Sequence, residues 1–500
     1  MAPPSRHGRS ARFQFARPES FRVRPITREF SRLEIGETAT WKPALRSGRQ
    51  RPKTAPDFSS PVVFAAVLLV CSALQSPQRA AAESSRPAPR PYLSMPPRAD
   101  GAVPPLLSQT GAFRDLRRLL PSDGLIPYDL IVPFWSDGAA KSRWIAVPAG
   151  GRIKFAPTGE WAFPAGTVFV KTFERATDEA NSRVKRRLET RLLVCDVAGG
   201  VYGAVYKWRA DNSDADLLAT NLTEAISIRT AAGTRTQTWY YPSRQDCLAS
   251  HTANAGGVLG VKTRQLNRDF TFPSGVTDNQ LRAWNHAGLF EPKFDEAAVR
   301  DFPKLASVED NTQSLENRAR SYLDANCAQC HRPKGTVAYF DARYDTPLAQ
   351  QNLIQGRVLI DERIDNARIV APNDIWRSIL LLRANSIEAF KMPPLARNEV
   401  DQEGMSLLKR WIESLPGPPV LPPPMISPQG GDYNKSVSVA LKSKPGAVIR
   451  YTLDGTVPTT SDLLYEKRIQ LTGPTIVRAK AFKSGFTRSI TAQEIFIIGE

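Results

Sequence analysis

The chain has 500 residues, 41% of them hydrophobic, with 67 Lys and Arg against 49 Asp and Glu, four His and five Cys. That length suits several domains and that apolar content a sizeable core, while so few cysteines exclude a disulfide framework. The formal charge is +18, but residues 1–60 alone carry 13 Lys or Arg against five acids, and no dense basic block interleaved with aromatics follows, which excludes a nucleic-acid stripe.

Residues 1–60 read as a basic, non-periodic extension or an over-extended reading frame. Residues 61–82 read as a signal peptide. The run P-V-V-F-A-A-V-L-L-V-C-S-A-L is about 14 residues, too short to span a bilayer and right for a signal's apolar region. Basic residues precede it and Ala80-Ala81-Ala82 follows. A lipid anchor on Cys71 is the lesser alternative, because bulky Val70 stands where such sites take a small residue. Residues 83–105 are a Pro/Ser/Ala/Arg linker.

Residues 106–300 are expected to be β-rich. W-I-A-V-P, T-V-F-V-K-T-F, T-R-L-L-V-C-D-V and V-Y-G-A-V-Y-K-W are short β-type runs separated by Gly and Pro. Residues 301–415 turn helical in pattern. Leu315, Ala319, Tyr322 and Leu323 share one face, as do Leu408, Trp411, Ile412 and Leu415, with Asp401 as an N-cap. Residues 416–425 are a stiff Pro-rich linker. In residues 426–500, V-S-V-A-L, A-V-I-R-Y-T and T-I-V-R-A-K-A-F alternate between turns, as in a small β-sandwich.

The most specific signal is C-A-Q-C-H, Cys327 to His331. Two cysteines three positions apart reach the two vinyl groups of one porphyrin, and the adjacent histidine then lies under the iron; C-x-x-C-H is the c-type haem attachment pattern for that reason. A thioredoxin-type pair would want a βαβ setting, and a zinc site two more suitably spaced ligands. The expected cofactor is one haem c on Cys327 and Cys330, with His331 as a metal ligand. Met392, in F-K-M-P-P-L, is the expected second axial ligand, since a thioether suits electron transfer and the prolines hold its backbone extended. Met95, in another M-P-P, and Met405, in the last helix, are the rivals. Arg383 offers a bidentate donor to a haem propionate.

From about 310 to 415 the order of helix, C-A-Q-C-H, M-P-P-L loop and final W-I-E-S-L helix resembles a class I cytochrome c domain. Over residues 100–415 the chain also resembles an uncharacterised family of exported, often di-haem, bacterial cytochrome proteins. The carrying residues include P-F-W-S-D-G-A-A-K from Pro133, W-A-F-P-A-G-T from Trp161, Y-K-W-R-A-D-N-S-D-A from Tyr206 and R-A-R-S-Y-L-D-A-N-C from Arg318. The resemblance implies a second C-x-x-C-H where this chain has C-L-A-S-H, Cys247 to His251, with Ser250 in place of the second cysteine. Three readings stand: loss of that haem; a haem held by Cys247 alone with His251 as ligand; or a Cys195–Cys247 disulfide in an oxidising compartment. His286 is a minor candidate for an opposite ligand. The tail, through A-V-I-R-Y-T-L-D-G-T-V-P-T from Ala447 and T-I-V-R-A-K-A-F from Thr475, is similar to the C-terminal sandwich of chitobiase- and β-hexosaminidase-type enzymes. That similarity makes Tyr451 and Asp454 turn and core residues first, and glycan contacts second.

Asp137, Asp211 and Asp214 lie in turn-like sequence and are read as turns before catalysts. Trp135, Trp144 and Trp161 are read as core. The expected architecture is multidomain α+β: a β-rich N-terminal domain, a mainly α class I cytochrome c domain and a C-terminal β-sandwich. The expected function is one-electron transfer by an exported, periplasmic protein with a redox partner, a dehydrogenase or an oxidase, and with no nucleic acid. Two alternatives are a haem enzyme using a second haem at Cys247 and His251, and an envelope glycan-binding protein with an accessory haem.

Overall fold

The computed structural model describes residues 93–338 and 340–499. The extension at 1–60, the signal at 61–82, Cys71 and the first part of the linker lie outside the described residues. Among the described residues no helix is long and apolar enough to cross a membrane.

Six antiparallel strands form a meander in which each pairs with the next: β1 (Ile126–Pro127), β2 (Ala140–Ala146), β3 (Val168–Ala176), β4 (Lys185–Cys195), β5 (Val201–Trp208) and β6 (Ala215–Leu217). Alternation sends Trp144, Val170, Leu192, Val194, Tyr202 and Tyr206 to one face. There they pack with Leu93, Met95, Leu107 and Phe113. The other face is divided. Ile145, Phe169 and Cys195 join a core around Trp161, Trp284 and Phe290, while the other half of that face carries charge. A hairpin, β7 (Leu222–Thr230) and β8 (Gly233–Tyr241), packs Ile226, Ile228 and Trp239 against Phe173.

Three short helices follow: α1 (Arg244–Ser250), α2 (Thr263–Leu266) and α3 (Gln280–His286). α1 starts in a capping box between Ser243 and Asp246. It lies so close to β5 that a Cβ built on Gly203 would sit 3.2 Å from the Cys247 sulfur.

Residues 301–415 correct the fold expectation. Among the described residues they hold only α4 (Leu315–Asn326), α5 (Ile379–Ala384) and α6 (Gln402–Ser414) besides short 3-10 turns. Between Asn326 and Ser378 the described residues form turns, loops and the short 3-10 helix Leu348–Gln350, with Lys334, Asn352, Gln355, Glu362, Arg363, Asn366 and Asn373 at positive φ. The chain is mostly β, and the expected mainly α cytochrome c domain does not form. Turn-forming Asn, Gly and charged residues win here over the helical periodicity at either end. What does form is a helix crossing. Gly404 of α6 meets the Tyr322 ring of α4, where an added Cβ would lie 2.4 Å from a ring carbon. Around it pack Ala319, Leu323, Met405, Leu408, Trp411 and Ile412. Asp401 caps α6 by accepting from Gly404 N–H at 3.0 Å.

The tail folds as two sheets. One pairs Met425–Ser427, Val437–Lys442 and Ile469–Leu471. The other runs through Gly431–Tyr433, Ala492–Ile498, Thr475–Phe482, Val448–Thr452 and Leu463–Leu464. Val439, Leu471, Val477 and Phe496 fill the space between them.

Candidate functional site

α4 ends where the chemistry begins. Cys327 is its C-cap, and the Cys327 carbonyl accepts from Cys330 N–H at 3.1 Å and His331 N–H at 2.9 Å. The C-A-Q-C-H segment is therefore a closed turn. It is locked further by Thr336 N–H on the Cys330 carbonyl and Ala342 N–H on the His331 carbonyl. Gly335 is required by close approach, since a Cβ there would lie 2.1 Å from the Cys330 oxygen. Both thiols are free. Burial, with Cys330 and Asp324 adding, pushes the Cys327 thiol up to about 12, and burial also raises Cys330.

His331 stacks on Phe340 with ring centroids 4.2 Å apart and planes 21° apart. Its Nδ1 is buried without a hydrogen-bond partner. Burial, helped by the Arg383 guanidinium, holds the imidazole down at about 4, so it is neutral near pH 7. Arg383 also organises the Met392 segment. Its carbonyl accepts from Met392 N–H at 3.0 Å, and its Nε donates to the Phe390 carbonyl at 2.7 Å. Met392 is half-buried. Its two rivals are spent elsewhere: Met95 is buried in the core against the meander, and Met405 in the core between α4 and α6.

Sequence reading missed a clamp. The W-S-D-G turn holds both sides of this site. Trp135 N–H donates to Asn326 Oδ1 at 2.8 Å, one residue before Cys327, and its indole N–H donates to the Glu399 carbonyl at 3.0 Å. Asp137, buried at positive φ, accepts from Asn398 N–H and Glu399 N–H at 3.0 Å. Arg235 and Arg175 pair with the Glu399 carboxylate. Trp135 is thus a half-buried tie, whereas Trp144 and Trp161 are buried core. The only sequence signal was a polar turn rich in Trp and Asp. Arg397 was also missed; it is buried, donates to the Ala384 carbonyl at 3.1 Å and leaves its Nε unpartnered.

At the near-copy, Cys247 is half-buried and not bonded to Cys195, which is also a free thiol. His251 Nδ1 lies 2.8 Å from the Gly257 carbonyl oxygen. A carbonyl only accepts, so that nitrogen carries the proton and Nε2 keeps its lone pair. Burial outweighs the Gly257 bond, and with Lys171 and Arg191 nearby the ring is held at about 4. His286 is exposed at the surface beside Glu296. Asp211 closes its own turn through Ser213 N–H. Asp214 ties Ser108 by backbone and hydroxyl, and Asp454 holds Thr456. Each of these three carboxylates is engaged by backbone or hydroxyl groups.

Residues 428–493 match the family described as chitobiase/beta-hexosaminidase C-terminal domain. No curated protein matches the chain. The resemblance of residues 100–415 to exported cytochrome proteins has no counterpart among these matches.

Proposed function

We propose that the chain is an exported electron-transfer protein in which Cys327 and Cys330 would hold one c-type haem and His331 and Met392 would supply its iron ligands. The reading concerns attachment and ligation, not a class I cytochrome fold. The observation that supports it is the C-x-x-C-H turn itself. Two free thiols and a half-buried, neutral imidazole with an orphaned, buried Nδ1 lie within one closed turn of chain. The residues fit the group. Neutral sulfurs suit a buried thioether, which carries no charge to desolvate, whereas a thiolate metal site would have to hold two buried negative charges. Bound there, haem supplies a one-electron ferric/ferrous couple. The chain's own residues do the rest. Phe340 fixes the plane of His331, Arg383 sets the Met392 segment and biases the field, and Trp135 with Asp137 ties the two sides together. A soluble redox partner, a dehydrogenase or an oxidase of the same compartment, is part of this proposal.

The test is a pyridine haemochrome measurement with protein quantitation on mature protein, beside a Cys327→Ala/Cys330→Ala variant. One haem per chain, lost in the variant, is expected. Unchanged haem content in the variant, or none in either protein, overturns the reading.

One observation favours a second reading. His251 has the tautomer of a ligand whose outer nitrogen is already engaged, and Cys247 supplies a single sulfur. Two haems per chain would support it, together with an enzyme-like role for the second.

A further inference from the structure

The charged half of the meander face poses a problem of its own, independent of the haem at Cys327. Arg143 of β2, Lys171 of β3 and Arg191 of β4 are directly opposite one another in register, a row of three cations across three adjacent strands. Lys141 and Lys171 both approach the Phe173 ring, at 5.9 and 5.3 Å from its centroid, and the Arg191 guanidinium carbon lies 4.4 Å from it. Like charges opposite on a sheet repel, and burial removes the water that would screen them.

Three of these four cations have a partner. Arg143 pairs with Asp129 at 2.7 Å. Arg191 makes a two-point contact with Glu189 at 2.5 and 3.0 Å. Lys141 donates to the Phe134 carbonyl. Lys171, at the centre of the row, makes no hydrogen bond or ion pair among the described residues, and the Glu189 carboxylate, already engaged by Arg191, acts on it only at longer range. Burial, with Arg191 and Arg143 adding, brings its ammonium down to about 7. Yet Lys171 keeps part of its surface accessible, as does Arg191 at 24%. Lys171 and Arg191 thus stand on a partly open stretch of this face rather than in a filled core. α1 roofs the adjoining strand with Cys247, and His251 stands within electrostatic reach of both Lys171 and Arg191.

We propose that this partly open face binds an oxyanion of two negative charges, held by Lys171 and Arg191 beside Cys247 and His251. Paired carboxylates or a phosphate have the acceptor geometry that an ammonium and a guanidinium recognise together. Such a ligand gives a counter-charge to Lys171, the one cation of the row without an ion pair of its own. The two charges can come from a free small anion or from the propionates of a porphyrin retained on Cys247.

The test uses the full mature chain in low-salt, anion-free buffer, with inorganic phosphate and succinate as probes, followed by titration calorimetry and thermal unfolding. Wild type, or the Cys247→Ala variant, is expected to bind one anion saturably and to melt higher with it. Lys171→Met is expected to bind at least about tenfold more weakly. It is also expected to melt higher than wild type without anion, because the row has lost its central charge. Lys171→Arg restores binding, and exposed Arg183→Gln leaves it unchanged. Equal binding with and without the Cys247 sulfur assigns the site to a free anion. Binding that appears only in Cys247→Ala, with a tetrapyrrole found on the wild-type Cys247 peptide, assigns it to porphyrin carboxylates. No binding in either protein, or Lys171→Met binding as tightly as its parent, overturns the proposal.

Discussion

The Trp135 backbone N–H donates to the Asn326 side-chain oxygen at 2.8 Å, across 191 residues of sequence. That bond joins the β-rich part of the chain to the last helical residue before Cys327. The same W-S-D-G turn grips Asn398 and Glu399, a few residues past Met392. The two halves of the candidate haem site are therefore tied by a third, distant segment.

Asp137 is the strongest part of that tie. Replacing it by Ala leaves the Asn398 and Glu399 amides without their acceptor in a buried place. The expected loss is roughly 2–4 kcal/mol of unfolding free energy, measured by denaturant titration. Asp137→Asn, which keeps one acceptor oxygen, is expected to lose about half as much. In holoprotein the Ala variant is also expected to weaken the far-red thioether-to-ferric-iron band, because the segment bearing Met392 is no longer anchored.

Lys262 and Asp324 form a buried ion pair, Nζ to Oδ2 at 2.7 Å, just before the cysteines on α4. Lys262→Met strands the Asp324 carboxylate, and about 3–5 kcal/mol of stability should go with it. Lys262→Met/Asp324→Leu is expected to recover most of that loss in the same unfolding assay. Equal instability of the single and double variants would show that packing, not charge, matters there.

Gly404 is exceptional for a helix interior. Ala is the better helix former by about 1 kcal/mol, but here its methyl would strike Tyr322. Gly404→Ala is expected to destabilise by about 1–3 kcal/mol despite the propensity gain. Gly404→Ala/Tyr322→Leu should tolerate the methyl better, read as a smaller drop in melting temperature from its own Tyr322→Leu parent.

His251 gives a pH signature. Unfolded, it binds its proton near 6.5; folded, not until about 4. Between those values the unfolded state holds more protons, so stability is full above about 6.5 and falls as pH drops toward 4. In Cys247→Ala protein, where no thioether forms at this position, the contribution is roughly 3 kcal/mol across that window. His251→Gln is expected to flatten the pH dependence of unfolding between about 5 and 6.5.

Local signals were legible. Cys327, Cys330 and His331 announce a closed turn because their chemistry is set by spacing alone. Asp401 reads as an N-cap, and the alternation from Val437 onward reads as strands. The helical periodicity of 315–326 and 402–414 was also there to see, but it was extended across residues 327–378, where positive-φ turns form instead. Two helices at the ends of a stretch do not make the stretch helical. The row of Arg143, Lys171 and Arg191 was invisible for another reason. Each residue sits in a different strand, and only strand register places them side by side. The Trp135–Asn326 bond was hidden likewise, since a side-chain amide gives no sign in sequence of which distant amide it will meet.

The most direct measurement is the mass of the proteolytic peptide that contains Cys327, Cys330 and His331, taken from mature protein. The peptide is expected to be heavier by one haem and to absorb as a tetrapyrrole, with neither cysteine open to alkylation. A peptide of unmodified mass, in which both thiols alkylate, would contradict it.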